Sequence, residues 1–572
     1  MRKLPLPSLP ALILGIGVGA LGIFIVYPII FTLFGSFWSS RPGFPGHFTW
    51  NNYLSAFGQG GVAGLVVNTI LFSLGSSVMG IAVGLLLSIV TVRTNTPFRR
   101  SLFYLPFFPL AFPVFIANLA WVYLFSQRVG LVNIALGDLG LSTSTFNIYS
   151  WPGMIWAGGM ALVPISYITI AAALRNMDSS LEDASRMSGA GIGSTLRNVT
   201  VPLAIPAILS AFILDFTIAA GVFETPTMIG IPARISVFLS SIYYNVDSIV
   251  PPNYAIASAD SSLILVIALI LVFAYNRSLR SSRRYEVVSG KGYSSGVLPL
   301  GRWRFVSLAG ILAYLVVGLF LPFVTMVMLS LVPVWLPYDL FGHMGLGNFQ
   351  YVFSNTSGMV PTIVNSAISS VFAATIITFV SLSLVFVARR TKVRGRGLLE
   401  ALGMLPIAIP ALVIGFGLLW AFLTIGREIY GTLAVMVIAL SLAFIPQGMR
   451  SLSGGVIQVQ MELQEASSVF GAGTMATMRR IFLPILRPSL VVTWLYVFIA
   501  AFTSVAPVVL LSTAHTGLFA VFLWSLWSSG EIPQFAAGGM VLFAIVWSLI
   551  LALVFVQRRL ERTGVYRPEV RS

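Results

Sequence analysis

The sequence predicts an all-α polytopic membrane protein with about twelve transmembrane helices. Three observations indicate this fold class: 57% of the 572 residues are hydrophobic, only 9% are charged, and long apolar runs recur along the whole chain. Soluble domains carry about 25% charged residues, so a soluble enzyme, a disordered chain and a collagen-like chain are excluded. The apolar runs are continuous and lack the alternation of β-barrel strands, which favours helices.

Predicted spans follow from the requirement that a helix needs roughly 20 predominantly apolar residues to cross a bilayer. The first run is too long for the apolar core of a signal peptide and precedes no cleavage site, so we expect it to stay in place as a helix. The predicted spans are 11–35, 65–90, 101–126, 151–174, 205–228 and 258–276, followed by 305–331, 361–388, 398–423, 431–449, 485–510 and 536–556.

Basic residues predict the orientation of these spans. With both termini in the cytoplasm, 29 of the 33 Lys and Arg residues fall in cytoplasmic segments, and such loops ordinarily carry an excess of positive charge. The net charge of +16 is therefore a signal of topology, and no nucleic-acid partner is predicted. The chain has no cysteine, which excludes disulfides and Cys-ligated metal sites.

Residues 277–304 form the one predicted linker, a cytoplasmic segment that carries seven basic residues among Ser and Gly. It separates a first half, 1–276, from a second half, 305–572. Each half contains six predicted spans, an even number that gives both halves the same orientation, as parallel repeats require. A short match between Asn68-Thr69 and Asn365-Ser366, at the start of the second and eighth spans, supports this repeat.

The clearest internal repeat lies in the cytoplasmic loop between the fourth and fifth spans of each half, 178–206 and 460–488. At an offset of 282 residues, nine of the 24 positions in 183–206 are identical to those in 465–488. Small residues predict a slim helix face that can enter a groove on another protein. The shared Gly allows a sharp turn or a close backbone approach, and the shared Pro suits the first turn of the next helix. In the first copy, Ser180 and Asp183 also fit a capping box.

This pattern resembles the EAA loop of ABC importer permeases, whose consensus is Glu-Ala-Ala, three residues, Gly, nine residues, Ile, one residue and Leu-Pro. The second copy reads Glu465-Ala466-Ser467, Gly471, Ile481 and Leu483-Pro484. The first copy reads Asp183-Ala184-Ser185, Gly189, Val199 and Val201-Pro202, with conservative departures.

The resemblance implies the type I ABC importer permease fold, in which these loops form coupling helices seated in clefts on two copies of a nucleotide-binding ATPase subunit. It also implies that an extracytoplasmic binding protein delivers the substrate and that the chain lies in a bacterial inner membrane. The residues that it assigns to ATPase coupling are Asp183, Ala184, Gly189, Ala190, Glu465, Ala466, Gly471 and Ala472.

ATP is expected to be bound by another polypeptide. The three lysines, Lys3, Lys291 and Lys392, are followed by Leu, Gly and Val, whereas a P-loop needs Gly-Lys followed by Ser or Thr. The resemblance therefore implies a transport subunit that is not an enzyme and holds no cofactor, with ATP and Mg²⁺ bound by the partner ATPase.

A secondary transporter of the facilitator type is the main alternative, because it also has twelve spans in two parallel halves. Such transporters typically carry a Gly-x-x-x-Asp-Arg-x-Gly-Arg-Arg loop between spans two and three. The corresponding loops here, 91–100 and 388–397, contain no Asp. A membrane-embedded hydrolase is disfavoured because all three His residues map to outer loops and no metal-ligand spacing occurs.

Carboxylates within or near the predicted spans are the candidates for the translocation pathway, since charge in a membrane is costly. Asp215 lies inside the fifth span, and both a pathway role and a buried hydrogen-bonded role stay open for it. Glu224 and Asp260 lie near outer span ends, where a carboxylate in interfacial water is favoured. On one straight helix Asp215 and Glu224 point to opposite sides, so they could share a site only if Pro226 or a helix break reorients the segment.

The stretch from Gly221 to Pro226 and on through Arg234 resembles the fused two-half permeases of ferric-iron importers. The resemblance favours Fe(III) or a ferric complex as the substrate. A hard cation of this kind would suit oxygen ligands such as Asp215 or Glu224. The same architecture serves importers of thiamine, polyamines and phosphonates, and these substrates stay open as alternatives.

Overall fold

A computed structural model describes residues 9–58, 61–141, 145–282, 297–336, 342–354, 356–391, 393–459 and 461–562. These residues fold almost entirely into helices, and two isolated β-bridges are the only extended pairings among them. The helices of the first half are α1 (Leu9–Ser36), α2 (Asn51–Gly58), α3 (Val62–Ser88), α4 (Arg99–Leu102), α5 (Val114–Phe125), α6 (Leu131–Asp138), α7 (Trp151–Arg175), α8 (Ser180–Met187), α9 (Ile192–Thr195), α10 (Val201–Gly221), α11 (Phe238–Tyr243) and α12 (Tyr254–Ser282).

The second half repeats this order with two differences: its first two helices together take the place of α1, and α6 has no counterpart among the described residues. Its helices are α13 (Trp303–Leu315), α14 (Leu321–Leu331), α15 (Gly347–Phe353), α16 (Met359–Arg390), α17 (Arg396–Met404), α18 (Ala411–Thr424), α19 (Leu433–Gln458), α20 (Met461–Val469), α21 (Thr474–Thr477), α22 (Leu483–Thr503), α23 (Phe519–Ser528) and α24 (Ile532–Arg562). Single π-helical turns extend α3 to Arg93 and join α13 to α14.

Nine helical segments of the described residues are long and apolar enough to cross a membrane. The number rises to eleven if each of two sharply bent helix pairs counts as one span, and α12 adds a shorter apolar stretch, Tyr254–Ile270. These segments confirm the predicted fold class, an all-α polytopic membrane protein made of two repeats. The chain is therefore a multi-pass membrane protein.

The third and ninth predicted spans, 101–126 and 398–423, are each built from two helical pieces with a sharp bend between them. The chain bends by 92° before α5 and by 99° before α18. Each bend is followed by a proline, Pro113 or Pro410, and the residue before that proline is extended, with ψ of 108° or 120°. The proline ring excludes its predecessor from the helical region, which explains why the chain bends at these two places.

The two halves share one packing pattern and interlock. In the first half α3 packs against α7 and α10, and in the second half α16 packs against α19 and α22. The first membrane helix of each half also crosses to the other half, because α1 contacts α18 and α14 contacts α5. The space between the halves is consequently walled by both of them.

Small residues allow the closest of these helix contacts. A Cβ atom on Gly84 of α3 would lie 2.6 Å from the Cβ of Ser166 in α7, and one on Gly80 would lie 2.9 Å from the Cβ of Leu162. Small residues at such crossings let backbones approach within a membrane, where helices have no hydrophobic drive to associate.

The short sequence match near the start of α3 and α16 has a structural cause. The hydroxyl of Thr69 accepts a hydrogen bond from the N–H of Phe238, the first residue of α11, at 3.2 Å. The hydroxyl of Ser366 accepts the same bond from Phe519, the first residue of α23, at 2.7 Å. In both halves, therefore, a hydroxyl near the start of the long helix binds the first N–H of the short helix that follows the fifth span.

The predicted linker, 277–304, is helical at its start, since α12 continues to Ser282, and residues 283–296 lie outside the described part of the chain. At its far end the N–H of Leu298 donates to the carbonyl of Arg93 at 2.8 Å, and the N–H of Asn95 donates to the carbonyl of Leu298 at 3.1 Å. The linker thus ends against the loop that follows α3.

Candidate functional site

A cavity of about 330 Å³ lies between the two halves. The first half contributes the start of α5, the middle of α7 and the segment after α10. The second half contributes the turn between α13 and α14, part of α19 and the end of α22. Most lining residues are apolar, and Glu224 is the one ionisable residue among the described residues that line it. The polar neighbours are Asn118, Thr503 and Ser504.

Glu224 reaches this cavity because the fifth span breaks. Helix α10 ends at Gly221, Val222 is extended with ψ of 132°, and a new helical turn begins at Glu224. The prediction of a continuous span over 205–228 was therefore wrong at its outer end. In the second half α22 ends at Thr503, which lies 282 residues after Gly221, so the same break occurs in both halves.

Asp215 does not share the site of Glu224. It is fully buried, and its Oδ2 atom accepts a hydrogen bond from the hydroxyl of Ser166 in α7. It is absent from the cavity lining, so the break after Gly221 does not bring the two carboxylates together. This geometry favours the buried hydrogen-bonded role for Asp215, while a pathway role for either carboxylate stays a prediction.

Replacing Asp215 by Asn should leave uptake of the transported substrate within about twofold of wild type, since the amide oxygen can still accept the Ser166 hydroxyl. Replacing it by Val, the residue at the equivalent position 497, should lower thermal stability by about 1–3 kcal/mol, because Ser166 loses its acceptor. Uptake and thermal unfolding of the two purified variants check this. A large loss of uptake in a stable Asp215→Asn protein would return Asp215 to the pathway.

Asp260 is a further correction, because interfacial water was expected around it. The residue is 0% exposed, and its Oδ2 atom accepts a hydrogen bond from Ser241 at 2.7 Å. Helix α11 folds back against α12 and covers this carboxylate, a contact that hydropathy along the chain cannot show.

An aromatic cluster joins the two halves beside the cavity, on the side of the α10 C-terminus. Phe223, next to Glu224, packs with its ring centroid 4.9 Å from that of Trp524 and 5.7 Å from that of Tyr243. The indole N–H of Trp524 donates to the Tyr243 hydroxyl at 2.8 Å. Tyr243 and Trp524 occupy equivalent places in α11 and α23, so the pseudo-twofold axis passes between them. Sequence reasoning missed this cluster, although an aromatic residue occurs six positions into both short helices.

Each EAA-like loop forms two short helices joined by a glycine turn, α8 with α9 and α20 with α21. Gly189 and Gly471 have φ of 87° and 74°, the left-handed region that side chains disfavour. Apart from the glycine itself and its chain neighbours, no atom of the described residues lies within 4 Å of a Cβ built on either residue. Of the two reasons proposed for these glycines, the sharp turn is the one that the folded chain itself requires.

The serines that depart from the Glu-Ala-Ala consensus have a structural role. Ser185 and Thr195 form a hydroxyl–hydroxyl hydrogen bond of 3.2 Å, and Ser467 and Thr477 form the same bond at 2.8 Å. Each bond ties the first short helix of the loop to the second.

The predicted capping box at the start of α8 is wrong. Asp178, rather than Ser180 with Asp183, supplies the cap: its carboxylate accepts hydrogen bonds from the hydroxyl and the N–H of Ser180 at 2.6 and 2.9 Å. These two bonds lower the pKa of Asp178. Asp183 is thereby left exposed on the surface of the loop.

The residues assigned to coupling lie on the surface. Asp183, Ala184, Gly189, Glu465, Ala466 and Gly471 are exposed, and Ala190 and Ala472 are half-buried. Large apolar side chains accompany them: Met187 is 84% exposed and Phe470 is 89% exposed.

Comparison with known proteins places these features in context. The family described as "Binding-protein-dependent transport system inner membrane component" matches residues 76–284 and 384–563. The ferric transport system permease protein FbpB of Actinobacillus pleuropneumoniae is 27% identical over 534 residues, which cover 92% of this chain and 75% of that protein. The putative ferric transport system permease protein FbpB 1 of Haemophilus influenzae is 26% identical over 508 residues, covering 88% of this chain and 78% of its own length.

A shorter relative matches less than half of the chain. The sulfate transport system permease protein CysT of Salmonella typhimurium is 28% identical over 233 residues, which are 40% of this chain and 80% of that protein. The two family matches together span more than half of the chain, and each contains one EAA-like loop. This chain therefore belongs to the family of binding-protein-dependent transport system inner membrane components.

Proposed function

We infer that this permease imports ferric iron as the membrane subunit of an ATP-driven ABC importer. It receives iron from an extracytoplasmic binding protein, and two copies of a separate ATPase subunit dock on α8 and α20. The observation that carries the proposal is the cavity between the halves, whose lining includes the Glu224 carboxylate and the oxygen-bearing side chains of Asn118, Thr503 and Ser504. Carboxylate, hydroxyl and amide oxygens suit a hard cation.

A single carboxylate also fits a transit site. No three His, Cys, Asp or Glu residues cluster as metal ligands among the residues that the structure describes. A conduction path needs binding that is strong enough to admit the substrate and weak enough to release it. One negative side chain in a mostly apolar cavity meets both needs for a cation in passage.

The negative charge of Glu224 also distinguishes between the alternative substrates. An anionic phosphonate is opposed by a lone carboxylate, whereas thiamine and polyamines are cations that Glu224 would also attract. The two FbpB proteins, described as ferric transport permeases, favour iron over these organic cations. A facilitator-type transporter is not supported, because the chain belongs to a binding-protein-dependent permease family.

The function is tested by purifying the chain with a candidate ATPase subunit and a candidate binding protein from the same organism and measuring radioactive iron uptake into proteoliposomes. Uptake should require ATP and iron-loaded binding protein and should resist an excess of thiamine or spermidine. Competition by either organic cation would reassign the substrate. Uptake driven by an ion gradient without ATP would reject the importer class.

The proposed orientation puts both termini in the cytoplasm. Because the chain has no cysteine, single-cysteine variants need no background removed. A cysteine at Ser289, in the linker and outside the described residues, should be shielded from impermeant thiol reagents in intact cells. The control is Val250→Cys, in the outer segment after α11, where the side chain is 95% exposed and labelling is expected. The reverse pattern would invert the topology.

A further inference from the structure

The first EAA-like loop is tied to the membrane helices by a buried ion pair. Arg93, at the inner end of the helical segment that continues α3, is 0% exposed, and Glu182 of α8 is 1% exposed. The Arg93 Nε atom donates to Glu182 Oε1 at 3.1 Å, and Nη2 lies 3.1 Å from Oε2. The hydroxyl of Thr200 donates to the same Oε1 at 2.6 Å. Because Thr200 directly precedes α10, one carboxylate joins α3, α8 and α10.

The second half is built differently at the same place. Arg390, at the end of α16, corresponds to Arg93 at the 297-residue offset that also relates Asn68 to Asn365. Its guanidinium donates to the backbone carbonyls of Val456, Ile457 and Val459 at the end of α19.

The partners of the ion pair are replaced as well. At the 282-residue offset of the loops, the positions of Glu182 and Thr200 are taken by Gln464 and Phe482. The second half thus has neither the carboxylate nor the hydroxyl, and the Phe482 ring lies 5.6 Å from the Arg390 guanidinium. The arginine is common to both halves, whereas the carboxylate and the hydroxyl of the first half are replaced by an amide and a phenyl ring in the second.

The geometry of the link makes it stiff. One charge-assisted hydrogen bond, from Nε–H to Oε1, and the ion contact between Nη2 and Oε2 hold the two buried side chains together. Separating the pair would leave two uncompensated charges out of water, which is strongly unfavourable. Helix α8 is therefore expected to move together with α3 and with the start of α10.

Resting on the proposed docking of ATPase subunits on α8 and α20, we propose that Arg93 and Glu182 are positioning residues that couple the first ATPase subunit rigidly to the cavity. Movement of α8 passes through Glu182 and Thr200 into α10, whose other end breaks directly before Glu224. In the second half, movement of α20 passes through the backbone contacts of Arg390 with the end of α19. Coupling is consequently asymmetric, and the stiff side is the side that carries the cavity carboxylate.

Glu182→Gln tests the proposal because it keeps the size of the side chain and removes the charge. Uptake per ATP hydrolysed should fall about five- to tenfold, the scale of a typical coupling free energy. Hydrogen exchange over residues 180–187 should accelerate, while ATPase binding persists because the exposed face of α8 is unchanged. The matched control is Glu400→Gln, which removes the same charge from an exposed ion pair with Arg389 and should keep uptake per ATP within about twofold.

Two further variants separate positioning from folding. Exchanging the charges, Arg93→Glu with Glu182→Arg, should restore much of the coupling if the pairing itself matters. Thr200→Val keeps the ion pair but removes the hydroxyl that joins Glu182 to α10. It should therefore lower uptake per ATP without faster hydrogen exchange in α8. This variant provides the test if Glu182→Gln fails to fold.

Wild-type values of both uptake per ATP and α8 exchange in Glu182→Gln would overturn the inference, as would equal effects of Glu182→Gln and Glu400→Gln. Failure of the wild-type chain to import with ATP would instead reject the proposed function. In that case, comparing the hydrogen exchange of α8 in the wild-type chain and in Glu182→Gln still tests whether the ion pair holds α8 in place.

Discussion

Glu224→Gln is expected to reduce iron uptake at least tenfold while the complex with the ATPase assembles at normal yield. Opposite unit charges 4 Å apart attract by about 4 kcal/mol at an effective dielectric constant of 20, and about 1.4 kcal/mol corresponds to a factor of ten. The amide keeps the size and hydrogen-bonding capacity of the side chain, so the cavity should keep its shape. Uptake into proteoliposomes, measured with basal ATP hydrolysis on the same preparation, gives the result.

Asp215→Asn is the matched control for this experiment, because it makes the same chemical change at a buried carboxylate away from the cavity lining. A selective loss in Glu224→Gln assigns the effect to the cavity. Full uptake in an assembled Glu224→Gln complex would remove Glu224 from the pathway, and equal losses in both variants would point to a general need for buried charge.

Gly189→Asp and Gly471→Asp should each lower the ATP hydrolysis that loaded binding protein stimulates, by about an order of magnitude. Both glycines have positive φ, where an L-residue costs roughly 1–2 kcal/mol. The new carboxylate would also lie close to Asp183 or Glu465 on the proposed docking face and add like charge there. Membrane insertion should be normal, since the turn lies outside the spans.

Gly→Asn variants at the same two positions separate strain from charge. Asn tolerates the left-handed region better than most residues, and it is neutral. Stimulated hydrolysis near the wild-type level in the Asn proteins, with a loss in the Asp proteins, would identify charge on the docking face as the cause. Wild-type stimulation in both Asp proteins would contradict docking through these loops.

Most of the architecture was predictable because it depends on properties that are local in the chain. The length of an apolar run decides whether a helix can span, and the EAA-like pattern marks both loops by the spacing of a few residues. The errors in the predicted spans occurred where one residue changes the backbone locally, whereas the burial of Asp260 depends on the packing of α11. Pro113 and Pro410 bend spans that hydropathy reads as continuous runs, and the break after Gly221 ends α10 earlier than the apolar run suggests.

By itself, the sequence determined the class of this protein: a two-half membrane permease with one coupling loop in each half. Only the tertiary structure decided that Glu224 faces the cavity, that Asp215 faces α7 and that Arg93 meets Glu182. The reason is that apolar content and motif spacing are written along the chain, whereas a side chain's partner depends on which helix packs opposite it. Arg93 and Glu182 are 89 residues apart, and only the packing of α3, α8 and α10 brings their charges together in a place without water.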